Sequence, residues 1–170
     1  YLKKYVNNTI SFEAGSTVTK KQHNWVLFRY GEILLNYAEA MINAFHDPNY
    51  KDAVYNMSAR EAVNQIRGRT NISLPGFPSD ITEKDFVKRL KNERRVELAF
   101  EGHRFWDVRR WKELGQTANI YGVKITKNNE VICYEKFLLE TRAVTDNMYF
   151  YPIPNTERFK NPNLGQNPGW

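Results

Sequence analysis

The 170-residue sequence predicts a mainly α fold: a helical hairpin, a long central helix, then a small β-hairpin and an irregular C-terminal tail. Three observations predict it. Between Trp25 and Leu114 apolar residues recur at helical spacing in separate runs, and the prolines of that region (Pro48, Pro75, Pro78) fall between the runs. Capping signatures stand where the second and third runs begin, Ser58 with Glu61 and Thr82 with Asp85. After Leu114 the helical period gives way to weak alternation and turn residues.

The elements follow in order. Tyr1, Leu2, Tyr5 and Val6 suit an extended strand, and residues 11–22 are polar and read as a loop. The first helix is expected from Trp25 to about Ala44. Val26, Tyr30, Ile33, Leu34, Tyr37 and Met41 form one apolar face, and Phe28, Leu35 and Ala38 widen it. A helix apolar on most sides is packed between neighbours. Arg29 and Glu32, three residues apart, are expected to pair. Asp47-Pro48-Asn49 marks a turn. The second helix runs from the Ser58 cap to about Arg67 through Ala59, Ala62, Val63 and Ile66, and Gly68 stops it. The two helices make a hairpin shaped like a tetratricopeptide unit, without that repeat's consensus. A Pro/Gly loop over 69–81 leads onward.

The central stretch, Thr82 to Leu114, carries Phe86, Val87, Leu90, Leu98 and Phe100 at roughly helical spacing. Gly102 ends or bends it, and a second short helix is expected from about Arg104 to Leu114. Arg94 shares the face of Leu90 and Leu98, and Glu93, Glu97 and Glu101 lie one turn apart. Charges on an apolar face are expensive unless paired. Ion pairs are therefore expected between these acids or Asp107 and Arg94, Arg95, Arg104, Arg109 or Arg110. The cluster has three readings: a structural network, a carboxylate pair (Glu97, Glu101) for acid/base chemistry, or an arginine patch for an anion or nucleic acid. The interleaved acids weaken the field that a phosphate backbone would seek.

Beyond Leu114, Tyr121–Ile125 alternates weakly, Asn128-Asn129 turns, and Val131–Tyr134 is apolar, which predicts the hairpin. The segment from Phe137 to Val144 is ambiguous. Met148–Tyr151 suits a short strand ended by Pro152 and Pro154. The tail from Asn161, with Pro162, Pro168 and Gly169, is irregular and is expected to dock through Trp170.

Composition narrows the function classes. The net charge of +6 is spread along the chain, so it sets solubility more than it names a partner. Aromatics reach 14 %, enough for a sugar-binding surface as well as a core. Cys133, the lone cysteine, excludes an internal disulfide and is expected to be a buried small hydrophobe. His23, His46 and His103 are scattered, with no HxxxH or CxxC spacing, so no metal site or cofactor is expected. No stretch is long and apolar enough to span a membrane. The chain starts at Tyr1 rather than methionine, which is expected of a processed chain or a fragment.

Four segments, in order, resemble the C-terminal part of the SusD/RagB family of outer-membrane nutrient-binding lipoproteins. Arg29-Tyr30-Gly31-Glu32-Ile33-Leu34-Leu35-Asn36-Tyr37-Ala38-Glu39-Ala40 is similar to the family's "RYAEVLLNYAEA" helix. Asn64-Gln65-Ile66-Arg67-Gly68-Arg69 resembles "N-x-I-R-x-R". The run Glu93 to Trp111 (ERRVELAFEGHRFWDVRRW) resembles "ERRxELAFEGxRxxDLxRW". Pro152-Ile153-Pro154 with Gln166-Asn167-Pro168-Gly169-Trp170 resembles the closing "PIP…QNPGY/W". Gly31 stands where alanine is usual, and Val108 where leucine is.

The resemblance implies a single SusD-like C-terminal domain over 1–170 and a non-catalytic protein. It implies cell-surface binding of an oligosaccharide, polysaccharide or other nutrient, with a TonB-dependent SusC-like transporter as partner. Such proteins sit at the outer membrane through a lipid anchor, which here would lie upstream of Tyr1 with tetratricopeptide-like helices. No nucleic acid, catalytic residue or metal ligand is implied. The family's ligand contacts are mostly loop-borne and upstream, so no binding residue is carried over; exposed loop aromatics such as Tyr50, Tyr55 or Tyr121 are the candidates. The rivals are a helical interaction module without its own ligand and a glycan-cleaving enzyme using Glu97 and Glu101. Helices shaped to pack on upstream helices also predict oligomers or a swapped arrangement.

Overall fold

The computed structural model describes residues 4–7, 9–10, 22, 24–70, 72–128 and 130–170. The strand expected at Tyr1 and Leu2, His23, and the polar loop over 11–21 lie outside the described residues. The chain forms two compact units, Tyr1–His103 and Arg104–Trp170.

The first unit holds three helices: α1 (Tyr30–Phe45), α2 (Ala59–Arg67) and α3 (Glu83–Glu97). Both α2 and α3 pack against α1. The strand expected through Tyr5 and Val6 is not formed: Lys4 and Tyr5 make a turn, and Tyr5 sits in the left-handed region at φ 63°. Helix α1 starts five residues later than the sequence suggests. Arg29 is its N-cap in an extended conformation (φ −147°, ψ 155°), and its guanidinium is held by carboxylates at the far end of α3. Trp25 to Phe28 are therefore exposed rather than part of a helical face. His46, at φ 57°, closes α1 with its N–H on the Ile42 carbonyl.

The buried face of α1 is Leu34, Leu35, Ala38, Met41 and Ile42; Tyr30 and Ile33 point away from the core. Tyr37 is half-buried, and its hydroxyl donates to the Met57 carbonyl at 2.5 Å. The expected capping box opens α2. The Glu61 N–H donates to Ser58 Oγ at 3.2 Å, and the Ser58 N–H donates to the Glu61 carboxylate at 2.8 Å. Ala59, Ala62, Val63 and Ile66 are its buried residues, and Gly68 ends it as expected. Thr82 caps α3, accepting from the Asp85 N–H at 3.2 Å. Phe86, Leu90 and Leu98 join α1 and α2 in one core, with the Phe77 ring edge-on to Phe86 at 5.8 Å.

Phe100 does not extend the apolar face. It lies at φ 65°, exposed, in the turn that separates α3 from α4 (His103–Arg110), and Gly102 follows at φ 82°. Helix α4 stops four residues short of Leu114. Lys112 enters the left-handed region (φ 54°) and the Glu113 N–H turns back to the Val108 carbonyl at 2.8 Å. A single 3-10 turn, Leu114–Thr117, follows.

In the second unit β1 (Asn119–Asn128) and β2 (Val131–Thr141) form an antiparallel hairpin, with Tyr121 opposite Leu138 and Asn128 opposite Val131. Both strands run further than their apolar cores, and the ambiguous segment from Phe137 continues β2. The Phe137 ring lies over Gly122, where a Cβ would sit 2.7 Å from the ring tip. Every residue of β2 is exposed, so Cys133 is not a buried hydrophobe. Its flanking Val131, Ile132 and Tyr134 are exposed with it, because a two-stranded hairpin cannot bury its own faces. Met148–Tyr151 is not a strand; Asp146–Tyr149 forms a 3-10 turn. Helix α5 (Asn155–Lys160) precedes the irregular tail. The tail docks through Trp170, whose indole N–H donates to the carbonyls of Asn147 (3.0 Å) and Phe150 (3.2 Å).

Candidate functional site

The carboxylates of the central stretch are paired: Glu93, Glu97 and Glu101 take cations from outside the stretch, while Asp107 takes Arg110 from within it. Arg69 grips Glu97 with two parallel bonds of 2.8 Å, and Arg29 adds a third at 2.5 Å. Arg29 Nε also donates to Glu101 at 2.7 Å, and Lys4 Nζ completes the Glu101 shell. The Lys4 ammonium further donates to the Glu97 and Ala99 carbonyls at 2.9 Å. Glu93 is met by Arg67 at 2.5 Å, and the buried Arg94 donates to Asn36 at 2.7 Å. Of the arginines expected to pair with an acid of the stretch, Arg110 does so, with Asp107 at 3.0 Å. Arg29 does not pair with Glu32 as its spacing suggests. It is drawn to Glu97 and Glu101, while Glu32 lies buried 3.7 Å from His103.

Burial opposes ionisation of Glu97, but the hydrogen bonds and charges of Arg69 and Arg29 outweigh it and hold the carboxyl below its usual range. Glu101 follows the same balance, burial against Arg29 and Lys4, with the same outcome. A general acid requires the opposite shift, a proton retained near neutral pH. Glu97 accepts three charge-assisted bonds and Glu101 two, which favour the ionised form of each. The cluster ties the N-terminal segment, the start of α1, the segment after α2 and the end of α3 together. Among the described residues, no group of three His, Cys, Asp or Glu is placed to hold a metal ion.

Two of the candidate loop aromatics, Tyr50 and Tyr55, share the ring of Phe45. Tyr50 stacks on Phe45 at 4.0 Å and gives its hydroxyl to Asp52 at 2.7 Å, which uses one face and the polar tip. Tyr55 tilts against the same ring at 5.4 Å and remains exposed. Tyr121 belongs to the second unit, where Lys136 lies 4.0 Å over its ring.

Sequence reasoning missed a cavity of about 880 Å³ within Arg104–Trp170. One wall is the end of α4 with Trp106, Arg109, Arg110 and Lys112; the other is the 3-10 turn at Asp146 to Phe150, backed by Pro168 and Gly169. The second wall is pinned by the Trp170 bonds and by Asn147 Nδ2, which donates to the Gly169 carbonyl at 3.2 Å. Gly169 is needed for this approach: its φ is 86°, and a Cβ would meet Asn147 Cβ at 2.7 Å. Arg109 lies flat on Phe105, 3.5 Å from the ring centre, and donates to the Phe105 carbonyl at 2.9 Å. Phe105 in turn stacks on Tyr151 at 5.9 Å. The cavity's two walls, at 106–112 and 146–150, are 34 or more residues apart in sequence, so no local motif announces it; the only signal was the docking tail ending in Trp170.

The family model of the SusD family matches residues 1–170. The chain belongs to the SusD family. It is 29 % identical over 163 residues to SusD-like protein P2 of Formosa agariphila, a match covering 92 % of this chain and 28 % of that protein. SusD-like protein P38 of the same organism is 37 % identical over 91 residues, covering 50 % of this chain and 16 % of its own length. The crystal structure of a SusD-like protein from Bacteroides fragilis superposes with a TM-score of 0.67 at 34 % identity, covering 86 % of this chain and 26 % of that structure. This SusD-family chain thus spans about a quarter of the length of P2 and of the solved relative. The motifs around Glu93–Trp111 supply framework in it: Glu93, Glu97 and Glu101 are all consumed by internal pairing.

Proposed function

We propose that the protein containing this chain is a non-catalytic nutrient-binding protein of the outer-membrane surface, holding a glycan for uptake through a TonB-dependent SusC-like transporter. Family membership across residues 1–170 carries this reading. The geometry supports it in two ways. The acids available for hydrolytic chemistry are locked in ion pairs that keep them ionised, and the one sizeable aromatic-lined cavity among those described offers stacking and polar groups, the means by which proteins hold sugars. The lipid anchor belongs to this proposal through family membership alone.

The test uses the full-length protein on an array of plant, algal and host oligosaccharides, with co-isolation from detergent-solubilised outer membranes. Retention of a glycan class without release of reducing ends, together with recovery of a SusC-like β-barrel, is the expected result. Release of reducing ends that disappears in Glu97→Gln would overturn it in favour of an enzyme. Stable recovery of a protein partner with no glycan retained would favour the interaction module.

A further inference from the structure

We propose that the cavity in Arg104–Trp170 binds a saccharide bearing a negatively charged group, a uronate or a sulfate ester, with Trp106 as the stacking face and Arg109 and Lys112 as the charge partners. The proposal rests on the glycan-binding reading above and specifies its ligand class.

The cavity, at about 880 Å³, lies within the roughly 300–1,000 Å³ typical of small-molecule sites. Trp106 is 60 % exposed and lines it, which leaves indole surface for a sugar ring. Its charge is unbalanced. Arg109, Arg110 and Lys112 line one wall, and Asp146 is the acid among the lining residues. Arg110 is committed to the buried Asp107, so it adds little free charge. Arg109 and Lys112 remain against Asp146, an excess of one positive charge.

The Lys112 ammonium has no acceptor among the described residues, and Arg109 spends one N–H on the Phe105 carbonyl. Arg109 Nε is buried and has no acceptor, although the same guanidinium donates to the Phe105 carbonyl and is immobilised on the Phe105 ring. Nε has no accessible surface, so an oxyanion in the cavity would meet the remaining N–H groups of the Arg109 guanidinium through charge-assisted bonds. Lys112 is exposed where the left-handed turn ends α4, at the cavity's edge. A neutral sugar would use Trp106 and Asp146 but leave the excess charge unanswered. A carboxylate or sulfate on the ring answers it. The opposite wall is already fixed by the Trp170 and Asn147 bonds, so binding would order little additional backbone.

The test is calorimetric titration of the full-length protein with three probes of similar length: an oligogalacturonate, a sulfated carrageenan oligosaccharide, and a neutral galactan oligosaccharide. At least one anionic probe is expected to bind about tenfold or more tightly than the neutral one, and to weaken as salt rises. Lys112→Glu and Trp106→Ala are each expected to weaken that binding about tenfold or more while circular dichroism and melting stay unchanged. Which anionic probe binds separates uronate from sulfate. The inference is overturned if the neutral probe binds as tightly, if anionic binding ignores both substitutions, or if neither anionic probe binds. A neutral glycan retained on the array, with no anionic probe bound, overturns the inference and leaves the uptake reading standing; an array retaining no glycan overturns both.

Discussion

Glu97 shows how one side chain can hold several segments. Its carboxylate is shared by Arg29 and Arg69, from before and after the helical hairpin, at the end of the helix that closes the core. The carboxyl is held below the value near 4.5 that it takes in the unfolded chain, and so is that of Glu101. As acid is added, the unfolded chain therefore takes up protons first. The stabilisation is fully present above about pH 4.5 and is lost as the pH falls through the lower folded values. Glu97→Gln is expected to destabilise the chain by about 2–3 kcal/mol at neutral pH, somewhat under the usual loss for breaking a buried pair because the site is only partly enclosed. Its stability should also fall less steeply as the pH drops below about 4.5. Urea unfolding at several pH values reads both effects. A variant whose pH profile parallels the parent's would show that Glu97 is not the group responsible.

At the scale of the element, the helices depend on different devices. Helix α2 is nine residues long and relies on its reciprocal Ser58–Glu61 cap. Ser58→Ala is expected to cost about 1 kcal/mol, seen as a lower urea midpoint at unchanged slope. Helix α3 relies on packing: Phe86 is fully buried in the core and meets Phe77 edge-on. Phe86→Ala is expected to cost about 3–5 kcal/mol, measured the same way. The tail depends on a backbone geometry. Gly169→Ala would put a methyl group against Asn147 at a φ that alanine resists, so the Trp170 indole should leave its two carbonyls. A red-shifted Trp170 emission, compared in a background lacking the other tryptophans, would register the loss.

For the whole molecule, the two units differ in kind. Tyr1–His103 has a continuous apolar core contributed by α1, α2, α3 and the loop at Phe77 and Ile81. Arg104–Trp170 buries few apolar side chains, Val108 and Leu114 among them, while its hairpin exposes Tyr121, Val123, Ile125, Ile132, Tyr134 and Leu138. Apolar surface of that extent marks an association surface. The 170-residue chain by itself is expected to self-associate with rising concentration, and light scattering coupled to gel filtration measures this. A monomer at every concentration would show that the hairpin faces tolerate water.

The sequence by itself determined the helices whose signals are local. The Ser58 and Thr82 caps, the Gly68 stop, the apolar face of α2 and that of α3 as far as Leu98 are set by residues within a few positions of one another, and each formed where its signal stood. It also determined the family, because four ordered motifs survive without any knowledge of contacts. The tertiary structure alone decided whatever depended on distant partners. Arg29 looked like a partner for Glu32, yet Glu97 and Glu101 hold it at the mouth of α1, and the helix begins only after it. Cys133 looked buried because its neighbours are apolar, yet nothing among the described residues covers β2. The cavity required the end of α4 and the C-terminal tail to meet the same turn. Local propensity and capping act over one helical turn, whereas ion pairing, burial and cavities are properties of surfaces that only folding brings together.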